Sequence, residues 1–243
     1  MVPYPMGTHC HPYLVSINLS NCCNLTEPAL FSLVRNCSSL SDINMGHTRI
    51  GEEREENSNS FTDFAVRPQL KSLCLAGCYH MREENIILFA SIFPNLEVLD
   101  LTSWRGISEA SIYQVLRCCK IKHLNLSHCQ VGFLGGMKFK APNLELLNLS
   151  YTNLDDQSLS MISKSCCGLL QLLLKNCHDV TENGVKHVVN NCTNLTEINL
   201  RYCYQVQAND VALMIVLRSS LRKIIAPSLK MRKRFLHYGC LVC

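Results

Sequence analysis

From Leu14 onward the chain repeats one spacing of apolar positions, L-x-x-L-x-L, nine times. The units start at Leu14, Leu40, Leu70, Leu96, Ile121, Leu144, Leu169, Leu195 and Leu221, at intervals of 26, 30, 26, 25, 23, 25, 26 and 26 residues. A fixed period of this length marks stacked supersecondary units. The last two apolar residues of each unit stand two apart, as Ile17 and Leu19 do, which predicts a short strand with one buried face. A helical spacing follows. Thr26 precedes Ala29, Leu30, Leu33 and Val34, and Thr181 precedes Gly184, Val185, Val188 and Val189, each hydroxyl placed to cap a first turn.

Pro, Ser, Thr and Asn ahead of the leucines, as in Phe93-Pro-Asn-Leu96 and Cys192-Thr-Asn-Leu195, end each helix and turn the chain back. No such unit buries its apolar face alone, so the units must stack. The predicted fold is an α/β solenoid of about nine repeats, a horseshoe with a parallel sheet on its concave wall and helices outside. It spans 14–229, between an N-terminal stub of 1–13 and a basic tail of 230–243. Gly51-Glu-Glu-Arg-Glu-Glu-Asn-Ser-Asn-Ser and Gly132-Phe-Leu-Gly-Gly-Met-Lys stand in helix slots but read as loops, and the second lacks the residues of a phosphate-binding loop.

Three positions beyond the last leucine of the pattern, or its equivalent, stands a cysteine, at Cys22, Cys78, Cys129, Cys177 and Cys203, with Thr48, Trp104 and Thr152 in other units. Zinc wants ligands paired at close spacing; thiols recurring once per repeat predict a packed side chain whose S–H meets a backbone carbonyl. A second row, Cys37, Cys118, Cys166 and Cys192, falls at helix ends. No cofactor or metal is expected. Sixteen cysteines in 243 residues are too sparse for a disulfide scaffold, and the first residues form no apolar leader, so the expected compartment is cytoplasmic or nuclear.

This ladder, with the continuation Cys177-His-Asp-Val-Thr-Glu-Asn-Gly184, resembles the cysteine-containing class of leucine-rich repeats of F-box/LRR proteins, plant members especially, over about residues 14–229. The resemblance implies the substrate receptor of a Skp–cullin–F-box ubiquitin ligase, in which the solenoid holds a target protein and an F-box docks a Skp-type adaptor. The 13 residues ahead of the first repeat are too few for an F-box. The expectation is therefore either the repeat portion of a longer receptor or a stand-alone repeat protein that scaffolds or inhibits a regulator. In both cases the module is non-catalytic: the sequence has no nucleophile elbow, no H-E-x-x-H and no dinucleotide loop.

Composition changes the picture mainly through charge. After Asp210 no acid follows, while Arg218, Arg222, Lys223, Lys230, Arg232, Lys233 and Arg234 supply +7; taken from the net +4, this leaves −3 on the first 210 residues. That is a basic tail, not a basic nucleic-acid binder. The last residues, Cys240-Leu-Val-Cys243, have the form of a prenylation box with Cys240 as acceptor and upstream cations as the second signal, although Cys243 is an unusual final residue for one. The same cations also suit nuclear import or solvation of the last repeat. No apolar run approaches the roughly 20 residues of a membrane span.

Alternation along the strands sends Ser16, Asn18, Asp42, Asn44, Asp100, His123, Asn125, Asn148, Glu197 and Asn199 to the concave wall. The adjoining turns carry His80, Trp104, Arg105, His128, Tyr151, Lys175, His178, Arg201, Tyr202 and Tyr204. Aromatic and Arg side chains bury much area yet keep a polar handle, so these ten and His123 form the candidate partner-binding set. Asn18, Asn125 and Asn148 begin Asn-x-Ser/Thr triplets, but their place inside strands makes them repeat residues and not glycan acceptors.

Overall fold

A computed structural model of the chain describes residues 11–52, 65–130, 140–232 and 241–242. Three-residue strands recur once per unit: β1 (Ser16–Asn18), β2 (Asp42–Asn44), β3 (Ser72–Cys74), β4 (Val98–Asp100), β5 (His123–Asn125), β6 (Leu146–Asn148), β7 (Gln171–Leu173), β8 (Glu197–Asn199) and β9 (Lys223–Ile225), followed by the two-residue β10 (Leu241–Val242). They form one parallel sheet in strict chain order. The register aligns the middle residues, so that Ile17, Ile43, Leu73, Leu99, Leu124, Leu147, Leu172, Ile198 and Ile224 make a single row. From Ile43 onward that row is buried, and a continuous core runs beneath it from Leu30 to Ala226. Burying one such side chain is worth roughly 1.5–3 kcal/mol, so the stack is held mainly by this repeated apolar seam.

Between the strands lie α1 (Glu27–Asn36), α2 (Glu83–Ile92), α3 (Glu109–Cys118), α4 (Asp156–Ser165), α5 (Glu182–Asn191), α6 (Ala208–Leu217) and the single turn α7 (Leu229–Arg232). The two loops expected in helix slots fall largely (53–60) or wholly (132–138) outside the described residues, as do most of the N-terminal stub and Cys240. The helices α1 and α2 touch directly. Phe31 and Phe89 meet edge to face at 6.1 Å, and the buried Glu27 carboxylate accepts from the Gly51 N–H and from Asn85 Nδ2. Burial raises the Glu27 pKa above its ordinary value.

The cap expected of Thr181 is present, its Oγ1 accepting from Asn183 N at 3.2 Å. Thr26 stands at the same position but makes no side-chain cap. The residue matching Asn183 in that helix is Pro28, which has no N–H to offer. Ser108 and Asp155 cap α3 and α4 through the N–H groups of Ser111 and Ser158.

The thiols do what their spacing predicts. Cys78 donates to the carbonyl of Met45 at 3.2 Å, Cys129 to Leu101 at 3.2 Å, Cys177 to Leu149 at 3.1 Å and Cys203 to Leu174 at 2.9 Å, in each case the residue just after the strand of the preceding unit. Thr48 and Thr152 instead bond the same carbonyl within their own unit. Cys22 departs from the ladder: it belongs to the first unit and is exposed. The helix-end row also needs one correction. Cys119, not Cys118, is the buried residue that closes α3, because the turn from that helix to β5 is one residue shorter than its counterparts. Burial pushes the thiols of Cys119, Cys166, Cys192 and Cys203 up to about 12 and that of Cys129 to about 11, so they stay protonated and are no nucleophiles.

Candidate protein-binding surface

Each strand ends in the same tight turn, and the backbone there dictates what the side chains can do. The third strand residue is most often Asn or Asp, and its Oδ1 accepts from the N–H two residues on. Asn18, Asn44, Asp100, Asn125, Asn148 and Asn199 do so at 2.8–3.1 Å. These residues, expected on the concave wall, are committed to bracing the turn, an arrangement that Asx side chains suit well. Two residues past the last strand leucine or its equivalent, the chain enters the left-handed region: Asn21, His47, Gly77, Ser103, His128, Tyr151, Asn176 and Tyr202 have φ between 58° and 68°. The N–H of each donates to a carbonyl in the next turn, as Tyr151 N does to Lys175 O at 2.7 Å, which holds the conformation in place.

Gly and Asn take that conformation at little cost, whereas a bulky side chain is strained there by roughly 1–2 kcal/mol. His47, His128, Tyr151 and Tyr202 accept the strain, and the last three are candidate contact residues. Their side chains join a continuous strip over four consecutive units. The His128 and Tyr151 rings stack at 4.3 Å, their planes nearly parallel at 10°. Lys175 Nζ lies 4.9 Å from the Tyr151 centroid and 6.0 Å from that of Tyr202, and the Arg201 guanidinium sits 5.0 Å from the Tyr202 ring. Tyr202 meets Tyr204 at 6.1 Å, and Tyr204 stacks with His178 at 6.4 Å, whose Nε2 is 3.1 Å from Asn176 Nδ2. Tyr204 is 61% exposed and Tyr151 37%, so the strip faces solvent along its length.

Seven of the candidate residues therefore come together: His128, Tyr151, Lys175, His178, Arg201, Tyr202 and Tyr204. His80, Arg105 and His123 are exposed but stand apart from the strip, His123 on the wall itself in β5. Trp104 is no surface residue. Its indole is only 1% exposed, fills the slot that cysteine takes in other units, and donates from Nε1 to Met81 O at 3.0 Å. Two residues escaped the sequence reading, Leu146 and Leu173. They flank the buried middle positions of β6 and β7 and stay half-exposed on the concave side. The triplets Leu-Leu-Asn and Gln-Leu-Leu held that signal, since alternation turns a leucine outward in each.

A family model described as Leucine Rich repeat matches residues 117–140 and 140–163, the two units that carry β5 and β6. Among solved structures the chain is similar to one in the crystal structure of the Rad7 and Elc1 complex in yeast, with a TM-score of 0.56 and 15% identity over 88% of this chain and 70% of that one. The chain is a leucine-rich-repeat solenoid. Another match is the leucine-rich repeat-containing protein LegL7 from Legionella pneumophila, with a TM-score of 0.45 and 17% identity over 86% of this chain and 81% of that one. Leucine-rich-repeat solenoids are protein-binding modules whose open inner wall presents one row of side chains per unit. Among the described residues no helix is long and apolar enough to cross a membrane.

Proposed function

We propose that this solenoid is the target-recognition part of a Skp–cullin–F-box ubiquitin ligase, gripping its target through the strip from His128 to Tyr204 and through Leu146 and Leu173 on the concave side. The observation that carries the reading is the retention of two tyrosines, Tyr151 and Tyr202, in a strained conformation that Asn, Ser, Gly or His adopts elsewhere in the same protein. Strain that folding does not require is maintained where side chains meet a partner. The ligase assignment rests on the resemblance of the cysteine ladder to F-box/LRR proteins, and the structurally similar chain crystallised in a complex of Rad7 and Elc1 fits a solenoid that works inside a protein assembly. The module contributes orientation and local concentration of the target; the repeats occupy 14–229 and the basic tail 230–243.

The test is co-purification of a Skp-type adaptor and of ubiquitylated proteins with this chain and with any longer form of it. Adaptor recovery confined to a longer form supports a receptor whose F-box lies outside these 243 residues. Recovery of a target with no adaptor in either form favours the alternative, a repeat protein that scaffolds or inhibits a regulator.

A further inference from the structure

The residue just after the last strand leucine or its equivalent is small or neutral in most units: Ser20, Gly46, Ala76, Thr102, Ser127, Ser150 and Pro227. Only the seventh and eighth units differ, with Lys175 and Arg201. These two stand in adjacent turns, joined by Asn176 N donating to Arg201 O at 2.8 Å. Their backbones are thus about one strand spacing apart, ~4.8 Å. Like charges side by side repel, and among the described residues neither cation has a carboxylate partner. Glu197, on the neighbouring strand, is held by Lys223 at 2.8 Å. The rings of Tyr151 and Tyr202 orient the two cations without neutralising them.

We propose that Lys175 and Arg201 form a paired anion clamp for an acidic polypeptide segment, one Asp or Glu carboxylate bridging the two cations while a neighbouring apolar residue rests on Leu146 and Leu173. The inference rests on the reading of the strip as a partner surface and specifies the chemistry of that partner. Charge complementarity selects the acid: two unneutralised cations in a chain whose first 210 residues are net negative accept a local carboxylate cluster. A nucleic acid fits less well. It needs a run of cations along its phosphates, whereas Asp42, Asp100 and Glu197 line the same wall. The His128–Tyr151 stack, closed at 4.3 Å, leaves no slot between its rings for a base.

The experiment is fluorescence anisotropy of the full chain with a fluorescein-labelled peptide of alternating Leu and Glu. Its Leu-Gln counterpart, the same sequence with phosphoserine replacing Glu, and oligodeoxythymidylate serve as comparisons. The Leu-Glu peptide is expected to bind, and to lose about tenfold or more in affinity when Glu becomes Gln, or when Lys175→Gln and Arg201→Gln are combined. Binding is expected to weaken as salt is raised. Equal binding of the Leu-Gln peptide, a requirement for phosphate, or preference for the oligonucleotide overturns the proposal. Both substituted side chains lie on the surface, so an unchanged circular dichroism melt separates lost binding from lost folding. If the paired variant loses target capture while no acidic peptide binds, the partner surface stands and its acidic preference falls. If no substitution in the strip alters target capture, the surface itself falls.

Discussion

The turns of the first four units and of the following four are built on one backbone and furnished differently. In the first set the left-handed position holds Asn21, His47, Gly77 and Ser103, and the residue before it is Ser20, Gly46, Ala76 or Thr102. In the second set the same places hold His128, Tyr151, Asn176 and Tyr202, preceded by Ser127, Ser150, Lys175 and Arg201. The φ values agree within ten degrees between the sets, so the scaffold asks only for a residue that tolerates the conformation. What exceeds that demand in the second set, two tyrosine rings and fixed positive charge, is what the proposed function assigns to recognition. The difference separates what the fold needs from what binding needs, position by position.

The largest expected effect tests the contrast under alkali. A buried thiol raised to about 12 against the ordinary 9.0 stays protonated in the folded chain and ionises once unfolded, so its contribution is full below pH 9 and is lost as pH rises toward 12. All four such thiols lie from Cys119 onward, so the second half is expected to open first, which limited proteolysis at increasing pH would read. Next, Trp104→Ala should cost about 3–5 kcal/mol in urea unfolding, whereas Cys177→Ala in the equivalent slot should cost about 1. Comparable losses would refute the view that Trp104 is a core residue.

Transplanting the second set's residue into the first, Gly77→Tyr, should destabilise by about 2 kcal/mol. Its φ of 67° strains a tyrosine, and a Cβ there would stand 2.3 Å from His47 Nδ1. The reverse exchange, Tyr151→Asn or Tyr202→Asn, should stabilise by about 0.5–1 kcal/mol each while weakening target capture. A loss of stability there would mean that the rings serve the fold. Smallest in stability, and decisive for function, is the double reversal Lys175→Glu with Arg201→Glu: the melting temperature should hold within a degree or so while partner recovery in a pull-down drops.

The repeat, the strand triplets and the carbonyl-bound thiols were legible because each follows from a local period that recurs too often to be accidental. Thr26 failed as a cap because a proline two residues later removes the donor, and Cys118 lost its place to Cys119 because one shortened turn shifts the helix end. At the site, alternation put the strand asparagines on the inner wall but could not disclose that their oxygens are spent on backbone N–H groups two residues on. Trp104 stands both among the candidate contacts and in the ladder slot that cysteine fills elsewhere, and the packing of neighbouring units decides for the second place. The ring-and-cation strip was legible as a set of residue types, but its continuity depends on the left-handed backbone, which a Tyr does not advertise.

The carbonyl that each ladder thiol seeks belongs to the unit before it, so the bond has no meaning inside one unit. Order in this array therefore passes from neighbour to neighbour, like a zip whose teeth mesh only in pairs. An added turn at either end gains its anchorage from what is already assembled, and protection of backbone amides from exchange should rise stepwise from the exposed Cys22 end toward the middle of the row.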